Sequence, residues 1–164
     1  FHATGIDQIV ESAGVSKKTL YNHFRSKDEL ILAVLAHHDS AFRNGFVRDV
    51  EALAESPRER LLAIYDVAEQ WFGQPGFFGC LFINAIAEHS DAKTEIRRSC
   101  QSFKRRMHEY IRELVLDSQL EPAEAISEEL SLLLEGAIVT AQMDGSAHSA
   151  RVARGMAARV LAPR

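Results

Sequence analysis

Apolar residues recur every three or four positions along almost the whole chain, and only four prolines, at 57, 75, 122 and 163, interrupt them. That spacing puts one stripe of each segment on a single helical face. Ile6, Ile9, Val10 and Ala13 make the first such face, and Leu20 and Phe24 continue it in a short second segment. Leu30, Ile31, Val34, Leu35, Phe42, Phe46, Val50 and Leu53 predict a long helix from Ser26 onward. Leu61, Ile64, Tyr65, Ala68, Trp71 and Phe72 mark the next. Ile96, Cys100, Phe103, Met107, Tyr110 and Leu114 step alternately by four and three, a narrow bundle-type stripe. After Pro122, Ile126, Leu130, Leu133, Ala137, Ile138 and Ala141 share a face that Leu132 and Leu134 widen, and Ala150, Ala153, Met156, Ala157 and Val160 finish the pattern.

The start signals agree. Ser26-Lys27-Asp28-Glu29 and Ser56-Pro57-Arg58-Glu59 have capping-box order, the second with proline where its missing N–H is not needed. Thr4 and Ser16 are the expected N-caps of the two short segments. No alternating run has a partner to pair with, and the apolar stretch from Phe77 to Ile83 reads as a buried helix start. The predicted fold is all-α.

Residues 4–24 read as helix, glycine turn at Gly14, helix. Around the anchors Leu20 and Phe24, the second helix carries Lys17, Lys18, Thr19, Tyr21, Asn22 and His23. Between Ser12 and Lys27 there is no acidic residue, while Lys17, Lys18, Arg25 and Lys27 are cationic. Phosphates need cations and N–H groups, and base edges need side chains that donate or accept. The alternative is an ordinary solvated helix face. The pattern A-G-V-S-K-x-T-L-Y-x-H-F-x-S-K-x-x-L, from Ala13 to Leu30, resembles the DNA-binding region of TetR family transcriptional regulators. The run Gly79-Cys80-Leu81-Phe82-Ile83-Asn84-Ala85 is similar to that in some members.

The resemblance implies an N-terminal helix-turn-helix DNA-binding domain at 1–30 and a helical effector-binding and dimerisation domain at 31–164. It also implies a homodimer on a palindromic double-stranded DNA operator, released when a small, apolar or aromatic effector binds. Carried onto matching positions, it gives Lys17, Lys18, Thr19 and Asn22 to the major groove. Tyr21, His23 and Lys27 go to phosphates, with Ser16 capping the reading helix and Thr4 capping the first helix near a phosphate. The match begins at the end of the link after the family's first helix, so a further helix before Phe1 is implied.

Trp71, Phe72, Phe82, Phe103, Met107 and Tyr110 are candidate effector-lining residues, with Asn84, Glu88 and His89 as polar contacts. Plain core packing is the alternative, since aromatics dominate ordinary cores. Gly73-Gln74-Pro75-Gly76 is a candidate entrance. Segments 122–143 and 147–161, rich in alanine, suggest a four-helix dimer interface through Leu134, Ile138, Ala141, Val152, Met156 and Val160, against an intramolecular core.

Composition limits the rest. Of 164 residues 46% are apolar and 26% charged, which excludes a disordered polar chain. No apolar run reaches the roughly 18 residues of a membrane span, and no signal peptide is visible, so the expected location is cytoplasmic. Cys80 and Cys100 lack metal-ligand spacing and are expected to be buried thiols, with a redox or nucleophilic Cys80 the alternative. His37-His38-Asp39 points its side chains apart on a helix. No cofactor, metal or catalytic motif is present, so an enzyme is not expected. The Arg97-Arg98 and Lys104-Arg105-Arg106 runs are expected to pair along their own helix with Glu95, Glu109 and Glu113. The net charge of −4 is an average that hides the basic segment and does not exclude DNA. Two competing readings are a helical small-molecule-binding protein or enzyme with an incidental basic helix, and a DNA-binding module without an effector.

Overall fold

The computed structural model describes residues 1, 3–89, 91 and 93–162. Among them are eight α-helices: α1 (Ile6–Ala13), α2 (Lys17–His23), α3 (Lys27–Leu53), α4 (Pro57–Phe72), α5 (Leu81–Glu88), α6 (Glu95–Asp117), α7 (Ala123–Asp144) and α8 (His148–Val160). The described residues contain no strand, and the chain is all-α as the periodicity predicts. They form two compact units. The first is Phe1–Ala41 with Leu81–Phe103, the second Phe42–Cys80 with Lys104–Arg164.

In the first unit, α1 packs on α2 across a turn set by Gly14, whose φ of 66° lies in the left-handed region. The Gly14 N–H donates to the Glu11 carbonyl and the Val15 N–H to the Val10 carbonyl at 3.0 Å, closing the helix end. Ser16 caps α2, its Oγ accepting from the Thr19 N–H at 3.0 Å. Three expectations are corrected. Gly5, not Thr4, caps α1, because the helix starts one residue later than expected; the Gly5 N–H donates to Gln8 Oε1 at 2.9 Å. No residue of α1 is buried, so Ile6, Ile9 and Val10 are half-covered rather than core. Phe24 lies past the end of α2 in extended backbone and is half-buried, which leaves Leu20 as the anchor.

The interior of this unit lies under α3, α5 and α6. Leu35, Ala85, Ile96 and Cys100 are buried there. Phe82 stacks on Phe103 with ring centres 3.7 Å apart, and the His38 ring lies 5.7 Å from that of Phe82. Burial pushes the His38 pKa down.

In the second unit α4, α7 and α8 pack on one another. Ser56 and Glu59 cap α4 reciprocally, with Ser56 Oγ accepting from the Glu59 N–H and Glu59 Oε2 from the Ser56 N–H. Ala137, Ala141, Ala150, Ala153 and Ala157 are all buried, and their small side chains let the helices approach closely. The buried Tyr65 hydroxyl donates to the Leu130 carbonyl at 2.7 Å. Tyr65→Phe removes that bond while the carbonyl keeps its partner within α7, and the expected loss is about 0.5–1.5 kcal/mol in urea unfolding. Ion pairs from Arg151 to Glu69 and from Arg154 to Asp66 join α8 to α4.

Two further differences emerge here. Arg98–Glu95 and Arg112–Glu109 do pair along α6, but Lys104 reaches across to Glu135 of α7 at 2.7 Å and Arg112 to Glu124 at 2.9 Å. The helix start expected within Phe77–Ile83 falls inside that stretch, at Leu81, but its beginning is not buried: Phe78 is 78% exposed in the preceding loop. Gly79 in that loop stands at φ 83°, in the left-handed region that favours glycine. A Cβ there would fall 2.0 Å from Gln142 Oε1, so a larger residue would also have to displace the exposed Gln142 side chain.

Candidate nucleic-acid interface

The α2 helix buries one residue, Leu20, at 8% exposure. Ser16, Lys17, Lys18, Thr19, Tyr21, Asn22 and His23 are all exposed. The turn at Gly14 and the cap at Ser16 therefore fix a short rod whose outward surface consists of donors, acceptors and the rings of Tyr21 and His23. Lys18 and Asn22, four residues apart, share a face.

The cations are not equivalent. Lys17 Nζ lies 2.6 Å from Asp7 Oδ1 of α1. That hydrogen bond and charge hold the Lys17 pKa above its ordinary value. Lys27, half-buried at the first position of α3, donates through Nζ to the Phe1 carbonyl at 2.7 Å. Neither contact removes the positive charge, but each engages an ammonium that a phosphate would also seek. Thr4 is exposed in the turn before α1 and, with Ile9, Leu30, Ile31, Val34, Asn84 and Glu88, edges a groove of about 400 Å³ in the first unit.

The six candidate effector-lining residues fall in both units. In the second, Trp71 meets Phe42 at 4.8 Å, Phe72 at 5.4 Å and Phe77 at 5.2 Å. Met107 is buried, and the half-buried Tyr110 holds its hydroxyl away from solvent with no hydrogen-bond partner. Burial, with the Glu51 charge adding to it, pushes the Tyr110 pKa up to about 12. Phe82 and Phe103 form the stacked pair of the first unit. None of the six edges the groove at Thr4 or the grooves on α7/α8 and α3/α4.

The expected dimer residues divide. Leu134, Ile138 and Ala141 are buried against their own chain, because their side of α7 is the side that meets α4 and α8. Val152 and Met156 are exposed, as are Leu132, Val139 and Met143, which the sequence reading did not select for this role. The signal was present, since positions 132, 139 and 143 lie on the side of α7 opposite its buried stripe.

An all-helical chain that presents a capped, acid-free basic helix after a glycine turn is a helix-turn-helix regulator in architecture. Residues 1–34 match the family model for bacterial regulatory proteins of the tetR family, and residues 57–157 the tetracyclin repressor-like C-terminal domain. The chain belongs to the TetR family. A TetR-family transcriptional regulator from Streptomyces coelicolor superimposes with a TM-score of 0.89 at 27% identity, over 98% of this chain and 84% of that one. The transcriptional activator FasR of Mycolicibacterium smegmatis is 48% identical over 38% of this chain and 28% of its own length. The transcriptional repressor NemR of Escherichia coli K12 is 30% identical over 59% of this chain and 49% of its own. The chain thus spans half or less of the length of these two curated relatives. No helix among the described residues is long and apolar enough to cross a membrane.

Proposed function

We propose that this protein is a cytoplasmic, ligand-responsive transcriptional repressor, not an enzyme, that binds a palindromic operator as a homodimer and leaves it when a small effector binds. The observation that carries the reading is the outward face of α2, where residues 16–19 and 21–23 are all exposed in a stretch without an acidic side chain. Residues 1–30 serve as the DNA-binding segment and residues 31–164 as the effector-binding and dimerising one.

Lys18, Thr19 and Asn22 are assigned to base edges, with Lys17 joining them once DNA competes with Asp7. Tyr21, His23, Lys27 and Thr4 hold phosphates, and Ser16 fixes the start of the reading helix. Trp71, Phe72, Phe82, Phe103, Met107 and Tyr110 are assigned to the effector. Within the second unit the unsatisfied Tyr110 hydroxyl would supply a polar point for such a ligand. The exposed apolar residues of α7 and α8 form the dimer face. Half-sites about 34–36 Å apart require the two reading helices to keep one separation, and an effector that favours another separation costs the complex affinity. Repression rather than activation is read from the likeness to NemR.

A gel shift of the native full-length protein on its own promoter region tests the reading, and release by a small molecule separates it from an effector-free DNA-binding module. No shift at low salt would instead favour a helical ligand-binding protein. Lys27→Ala is expected to weaken binding to every sequence and lower the slope of log K against log salt by about one per protomer. An unchanged slope would remove Lys27 from the phosphate contacts.

A further inference from the structure

Leu20, the one buried residue of α2, fixes which side of that helix faces its own chain. Successive helical residues turn by about 100°, so Lys18 and Asn22 each stand about 160° from Leu20. They straddle the line of α2 farthest from the protein. Thr19 and Tyr21 lie about 100° from Leu20, on the flanks, and Lys17 and His23 only about 60°.

Contacts within the chain sort the side chains the same way. Lys17 Nζ is held by Asp7 at 2.6 Å. Thr19 Oγ1 shares a hydrogen bond of 2.9 Å with Ser16 Oγ. The side chains of Lys18 and Asn22 enter none of the hydrogen bonds or ion pairs among the described residues. Both are exposed. The two outermost groups of the helix are thus unspent.

Their chemistries differ. A lysine ammonium offers three donors and no acceptor. In the major groove guanine presents two acceptors, O6 and N7, whereas cytosine presents a donor and adenine sets a donor beside its N7. The ammonium therefore fits guanine and is opposed by the amino groups of the other two. An asparagine amide carries a donor and an acceptor, which match N7 and the N6 amine of adenine. The cytosine amine calls for a carboxylate, and no acidic residue stands between Ser12 and Lys27. Four residues of helix rise about 6 Å, which spans one to two base-pair steps of about 3.4 Å.

Resting on the reading of α2 as the DNA-reading helix, we infer that Lys18 and Asn22 set the operator sequence. Each half-site carries a guanine read by Lys18 and, one or two base pairs away, an adenine read by Asn22. Thr19, whose hydroxyl both donates and accepts, discriminates less between bases. Lys17 has to leave Asp7 before it adds a contact.

The test selects duplexes from a randomised library with the full chain, as wild type, Lys18→Gln and Asn22→Ala. The wild type is expected to enrich a half-site with the guanine and adenine at that spacing. Glutamine matches adenine as asparagine does, so Lys18→Gln should turn the guanine position to adenine and leave the Asn22 position unchanged. The change in preference there should be at least about fivefold. Asn22→Ala should lose the adenine preference alone. Both positions are exposed, so helical circular dichroism should stay the same in each variant. A wild-type consensus without this pair of bases would overturn the assignment and leave the DNA-reading role standing. So would a Lys18→Gln consensus that keeps its guanine, or variants whose affinity falls evenly over all sequences. A wild type that enriches no sequence would overturn both.

Discussion

Replacing Lys18 and Asn22 together by alanine is expected to abolish operator recognition while leaving the fold untouched. Both side chains are exposed on one face of α2, and neither supports the helix end that Ser16 caps. A well-placed base contact is worth about 1–3 kcal/mol of discrimination, and a dimer on a palindrome makes each contact twice. Four contacts at the low end of that range are about 4 kcal/mol, so specific affinity should fall by about 10³-fold or more, with non-specific binding at low salt reduced far less because the remaining cations persist. Fluorescence anisotropy with operator and scrambled duplexes measures both. Equal losses on the two duplexes would show that these residues hold backbone and not bases.

The largest expected effect on stability comes from Phe82→Ala. Phe82 is 1% exposed and stacked on Phe103, with the His38 ring beside it. Truncation removes the aromatic surface and leaves a cavity, so urea unfolding should show a loss of about 3–5 kcal/mol. Because Phe82 and Phe103 are also assigned to the effector, Phe82→Leu is the companion variant. It should restore most of the stability and still bind effector less tightly. Full effector affinity in Phe82→Leu would confine the stacked pair to the core.

The helices were legible in the sequence wherever local signals agreed. Ser56-Pro57-Arg58-Glu59 starts α4 at Pro57, and the 3.6-residue period carries α3 unbroken from Lys27 to Leu53. The reading helix was legible because a glycine turn, a serine cap and an apolar anchor fall within eight residues. Less legible was anything set by contacts distant in sequence. Periodicity shows that Leu134, Ile138 and Ala141 share a face but not which neighbour covers it, and they turn out to serve the chain's own core. Gly79 lies against the Gln142 side chain, sixty-three residues away, which no local pattern reports. Likewise nothing in the spacing of Lys17 or Lys27 announces that Asp7 and the Phe1 carbonyl hold their ammonium groups.

Titrating the native full-length protein onto its own promoter DNA, at several salt concentrations, tests the central claim most directly. Two protomers bound per site, an affinity that falls steeply with salt, and release by a small molecule are the predicted results. Failure to bind at low salt would contradict the account.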